Sequence, residues 1–134
     1  MRQRVLAYVT RERGSIKELL VFDVPSHPRA GTQVPAGRID PGETLEQCLF
    51  RELHEEAGIE RARILRELDG PLWPAKYENH AFEVRVEGEE PADIWEHVGL
   101  GDGDDAGLVF RYRWEPVTPD LRLFNRFDPI LAEL

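Results

Sequence analysis

Apolar and polar positions alternate so as to divide the chain into short extended segments and one amphipathic helix. In residues 5–10, Val5, Ala7 and Val9 alternate with Leu6, Tyr8 and Thr10, while residues 18–24 hold the unbroken apolar run Leu19, Leu20, Val21 and Phe22. Both patterns predict strands, the second short and buried. Residues 11–17 between them carry Gly14 and Ser15 and read as a hairpin loop. Residues 25–31 read as a loop, and 33–36 as a short strand that Pro35 brings to an end. Asp40, Pro41 and Gly42 predict a turn. Further strands are predicted at 62–68 and at 77–87, where Phe82, Val84 and Val86 alternate, with a proline-rich loop at 69–76 between them. An acidic turn at 87–92, a flexible acidic loop at 100–107 and a last apolar strand at 108–117 follow. The tail, 121–134, ends in a short helix with Pro129 at its first position. A mixed sheet with one helix on each face makes this an α/β/α sandwich of the α+β class.

The helix between the third and fourth strands is the best-marked element. Thr44 with Gln47 three residues on predicts a capping box, and Gly58 predicts the left-handed residue that stops the helix. At about 100° per residue, Leu45, Leu49, Leu53 and Ala57 fall on one arc, which Cys48 and Phe50 widen. Glu52 and Glu56 fall inside that arc and Glu55 flanks it. Burying an ionised carboxylate costs several kcal/mol unless something positive meets it. Three acids within about one turn suit a hard divalent cation such as Mg²⁺.

Composition narrows the picture without changing it. With 134 residues and 41% apolar content, the chain matches a single domain spanning 1–134, and no apolar run is long enough for a signal peptide or a bilayer span. The one cysteine, Cys48, points into the helix's core face and reads as a small hydrophobe; a cytoplasmic location is expected. A net charge of −9 argues against a nucleic-acid groove and leaves a phosphate-bearing ligand in need of bound cations.

Residues 37–59 resemble the Nudix box: a Gly, five residues, a Glu, seven residues, then Arg-Glu-apolar-any-Glu-Glu-any-Gly-apolar. Gly37, Glu43, Arg51, Glu52, Leu53, Glu55, Glu56, Gly58 and Ile59 fill every fixed position without an insertion. The resemblance implies a loop–helix–loop that holds Mg²⁺ or Mn²⁺ against a pyrophosphate, and metal-dependent hydrolysis of a nucleoside diphosphate linked to another group. It implies Glu55 and Glu56 as metal ligands joined by the Gly37 carbonyl, and Glu52 as a ligand or general base. Arg51 and Glu43 would brace the loop against the helix. A nucleotide-sensing domain that binds without cleaving is the other function class; such sensors commonly lose box carboxylates, and here all are present.

The group attached to the pyrophosphate is left open. Some relatives of this kind recruit a carboxylate from a late loop, which makes Asp104 and Asp105 candidates, and Glu83, on the strand after the proline-rich loop, is a similar one. Trp73, Tyr77, Trp95 and Trp114 are aromatic enough to stack on a base, although Trp114 reads better as core. In the family it resembles, Pro74 fits a cue for ADP-ribose and Tyr77 a cue for dinucleoside polyphosphates, so the two cancel, and a nucleotide sugar or a nucleoside triphosphate stays open as well. His27, His80 and His97 lack metal-ligand spacing and are expected at the surface. The partner expected is a small nucleotide, with no nucleic acid and no membrane; a homodimer is left open.

Overall fold

The computed structural model describes residues 2–70, 72, 77–100, 106–124 and 127–134. Its organising strand is β1 (Arg2–Arg13), which pairs antiparallel with β2 (Ile16–Asp23) along its second half and with β3 (Ala36–Arg38) along its first. On its other side β1 runs parallel to β5 (Tyr77–Val86), from Arg2↔Tyr77 to Val9↔Val84. With β4 (Ala62–Leu68), β6 (Ile94–Val98) and β7 (Val109–Pro116), the described residues form a seven-stranded mixed sheet in the order β4-β5-β1-β2-β7-β6, with β3 attached to β1. The expected mixed α+β sandwich is what forms.

Side-chain alternation sorts the core onto the two faces. Val5, Ala7 and Val9 of β1 join Leu20, Phe22, Phe82, Val84, Phe110 and Tyr112 beneath α1 (Leu45–Glu52). Leu6 and Tyr8 face the other way, with Leu19, Val21, Ala81, Phe127, Ile130 and Leu131. The Tyr8 hydroxyl donates to the Phe127 carbonyl at 2.9 Å, which ties the C-terminal segment to this second face.

The structure departs from the sequence pattern in four places. The loop expected at 11–17 shrinks to Gly14 and Ser15, because the hydrogen-bonded register of β1 and β2 continues to Arg13↔Ile16. The third strand lies at Ala36–Arg38 and not at 33–36: Pro35 has no N–H to give a ladder, and its carbonyl instead accepts from the Ala7 N–H at 2.8 Å. Before it, Gln33 bridges to Phe22 of β2; after it, the chain pairs with β1. Strand β6 was not expected at all. Its aliphatic residues Ile94 and Val98 face outward, 70% and 50% exposed, while Trp95 and His97 face inward against residues 55–58, so the aliphatic positions give no apolar-in signal. The closing helix at Pro129–Glu133 has 3₁₀ bonds, as its five residues are too few to establish an α-helix. Among the described residues no helix is long and apolar enough to cross a membrane.

Candidate active site at the end of the helix

Helix α1 begins as its sequence requires. The Thr44 side chain accepts from the Gln47 N–H at 3.1 Å, and the Gln47 side chain accepts from the Thr44 N–H at 2.9 Å. After Glu52 the helix widens into a π-turn, Leu53–Ala57, which ends at Gly58 with φ +71°. The Gly58 N–H reaches the carbonyls of both His54 and Leu53, one residue further back than an α-helix would place its partner. Cys48, Leu49, Leu53 and Ala57 are buried against the sheet, and so is Glu56, at 5% exposure.

Glu52, Glu55 and Glu56 therefore cluster at the negative end of the helix dipole, where carboxylates are disfavoured. Arg51 is the cation that answers them. It meets Glu43 at 2.7 Å, Glu52 at 2.9 Å, Glu55 at 3.2 Å and Asp40 at 3.4 Å, and also donates to the Arg38 carbonyl at 3.1 Å. The fork from Arg51 to Glu43 ties the loop to the helix and holds the Glu43 carboxyl down at about 2. The same contacts raise Arg51 above its ordinary range, so it stays charged. Glu56 reaches across to β3, where its Oε2 accepts from the Ala36 N–H at 3.1 Å. Burial pushes the Cys48 thiol up to about 12, so it is a packed hydrophobe beneath the loop and no nucleophile.

Gly37 lies in β3 with the Glu52 carboxylate directly against it. A Cβ at position 37 would come within 2.0 Å of Glu52 Cδ, so only glycine lets that carboxylate rest on the strand. Gly37, Glu43, Arg51, Glu52, Glu55 and Glu56 are thus brought together. Among the described residues no three acidic, imidazole or thiol groups converge into a ready-made metal cage; Glu43, Glu52 and Glu55 turn toward Arg51 and Glu56 toward the Ala36 N–H. The donor set nonetheless fits a hard cation, since it consists of carboxylates and, among the described residues, one guanidinium answers them.

The other candidates lie elsewhere. Glu83 is 2% exposed but faces away from α1, where Thr10 Oγ1, Arg66 Nε and Lys17 Nζ donate to it at 2.7, 3.0 and 3.1 Å. Tyr77 is on that same far face, with the Arg4 guanidinium 4.7 Å from its ring centre. Trp95 stacks on Tyr112 with ring centres 5.0 Å apart, which makes it a packing residue and not an open stacking platform. Trp114 is buried under Arg11. Of the three histidines expected at the surface, His97 is instead docked against the helix end, 3.0 Å from the Glu55 carbonyl. Trp73, Asp104 and Asp105 lie outside the described residues, although Leu100, just before the acidic loop, donates its N–H to the Glu55 carbonyl at 3.0 Å.

The family profile of the NUDIX domain matches residues 1–125. The chain belongs to the Nudix family. An RNA pyrophosphohydrolase from Erythrobacter litoralis is 38% identical over 98 residues, covering 58% of this chain and 59% of that protein. Another from Bradyrhizobium is 29% identical over 100 residues, 58% of its length, so the chain spans under two thirds of these relatives. Among solved structures, the Nudix fold seen here resembles an Ap4A hydrolase from C. elegans, with a TM-score of 0.68 at 16% identity, covering 99% of this chain and 95% of that one. It also resembles the NUDIX domain of Shewanella oneidensis NrtR complexed with ADP ribose, with a TM-score of 0.61 at 17% identity over 98% of this chain and 86% of that one.

Proposed function

We propose that this protein hydrolyses a pyrophosphate bond in a nucleoside diphosphate linked to another group, with Mg²⁺ or Mn²⁺ held at the end of α1. The observation that carries this reading is the charge imbalance there. Among the described residues one guanidinium, Arg51, faces four carboxylates, and Glu56 is buried beside them. A divalent cation, when bound, neutralises phosphate oxygens and acidifies a water.

The residues divide the remaining work. Glu55 and Glu56, with the Gly37 carbonyl, supply oxygen ligands, and Glu56 is kept on β3 by the Ala36 N–H. Glu52, resting on Gly37, is placed to complete that set or to take the proton of the attacking water. Arg51 and Glu43 hold the loop at the helix. The names of the relatives favour nucleotide anhydrides as a class, and the substrate within that class is set by residues outside the box.

The test is a panel with Mg²⁺ or Mn²⁺: ADP-ribose, a nucleotide sugar, a dinucleoside polyphosphate, a nucleoside triphosphate and a short 5′-triphosphorylated RNA, each with and without chelator. Cleavage of at least one member at the anhydride, abolished by chelator, is expected. The likeness to an ADP-ribose-bound domain sustains a second reading, a nucleotide sensor. Tight binding of ADP-ribose without turnover of any panel member would favour it.

A further inference from the structure

Three side chains and one backbone N–H from the far side of the chain converge on the last carbonyls of the box helix. Tyr112 of β7 donates its hydroxyl to the Glu56 carbonyl at 3.0 Å. Trp95 of β6 donates Nε1–H to the Ala57 carbonyl at 3.1 Å, and His97 Nε2 lies 3.0 Å from the Glu55 carbonyl, which also accepts the Leu100 N–H. His97 can donate there only with its proton on Nε2. The last carbonyls of a helix have no partner within it and must find one outside. Here a stacked Trp95–Tyr112 pair and a histidine packed against Gly58 meet them inside the protein.

The gripped residues include the two proposed ligands, Glu55 and Glu56, and the gripped stretch is the π-turn. A π-turn is rare because it departs from the regular i→i+4 ladder, and it persists where outside contacts hold it. A return to α-helical register would turn residues 53–57 and swing both carboxylates relative to Gly37. We infer that Tyr112, His97 and Trp95 are positioning residues, which hold the π-turn in register and so aim Glu55 and Glu56 at the metal. This rests on the proposed metal site.

The experiment measures Mn²⁺ binding to the full chain by calorimetry or by electron paramagnetic resonance, alongside the thermal midpoint without metal and steady-state kinetics on whichever panel substrate turns over. Tyr112→Phe keeps the ring and removes the donor; His97→Phe removes the ring N–H; His97→Gln retains an amide donor. Tyr8→Phe is the matched control, since it deletes an equally buried hydroxyl that also donates to a carbonyl, on the opposite face. Tyr112→Phe and His97→Phe are expected to weaken Mn²⁺ binding by about tenfold or more and to lower kcat with KM little changed. His97→Gln should stay within about threefold of wild type, and Tyr8→Phe should lower the thermal midpoint alone. Wild-type Mn²⁺ affinity in both folded Tyr112→Phe and His97→Phe would overturn the inference. So would an equal loss in Tyr8→Phe, which would reduce the effect to general loosening. Failure of the wild-type chain itself to bind Mn²⁺ would overturn the metal reading, and the inference with it.

Discussion

Two buried glutamates on opposite faces of one sheet have different surroundings. Glu83 is the more deeply buried, yet its charge is fully answered by Lys17, Arg66 and the Thr10 hydroxyl. Burial alone would raise its carboxyl; the hydrogen bonds outweigh that and hold it below the ordinary range. At the end of α1 the balance runs the other way, with a single arginine, among the described residues, meeting Asp40, Glu43, Glu52 and Glu55, and Glu56 buried alongside. A buried acid is therefore poor evidence of a site. A crowd of mostly part-buried acids around one described counter-charge, at the helix end that repels them, is much better evidence.

The comparison breaks most sharply at Glu56. Glu56→Gln keeps the shape and can still accept from Ala36, but it removes a ligand charge; turnover is expected to fall by about 10²-fold or more with the fold intact. Unchanged kcat at saturating Mg²⁺ would move the site elsewhere. Arg51→Gln attacks the imbalance from the other side. It leaves three partly buried carboxylates, Glu43, Glu52 and Glu55, facing one another beside the exposed Asp40, at a cost of about 2–3 kcal/mol after allowance for their exposure. Added Mg²⁺ should raise the thermal midpoint of this variant by more than it raises that of wild type.

On the balanced face the expected effects are smaller and of another kind. Glu83→Gln retains an acceptor for Thr10 and leaves Lys17 and Arg66 near enough to solvent to rehydrate, so about 1–2 kcal/mol should be lost in denaturant unfolding. Turnover well below the midpoint should stay within about twofold. Glu83-like losses in activity would mean that the two faces are coupled. The gentlest test is pH. Glu43 is depressed from 4.5 to about 2 by Arg51, so its contribution is complete above the ordinary value and is lost as pH falls through that window. The stability gap between wild type and Glu43→Gln should be full at neutral pH and close between pH 4.5 and 2.

Local spacing made one half of this site readable. Thr44, Gln47 and Gly58 mark the helix ends because caps act within a few residues, and a period of 3.6 puts Glu52 and Glu56 on the buried side by geometry alone. A uniform 3.6-residue period carries no sign of the π-turn at Leu53–Ala57. The turn's partners are Trp95, His97 and Tyr112, which come 38, 42 and 56 residues after the carbonyls they meet. In sequence Tyr112 is one more apolar position in an alternating strand, and β6 hides its inward face behind Ile94 and Val98.

The same division explains the candidates that dispersed. Alternation along β5 determined that Phe82 and Glu83 point to opposite faces, since neighbouring strand residues must. Which face would receive α1 was decided only when β1 paired with β3, β5 and β2 together, because that register places Val5, Ala7 and Val9 beneath the helix. Tyr77 and Glu83 were thereby committed to the far side. The sequence alone determined that Glu52, Glu55 and Glu56 cluster, because they lie within five consecutive residues of one helical segment. The tertiary structure decided their counter-charges and supports, because strand pairing joins residues that no local period connects.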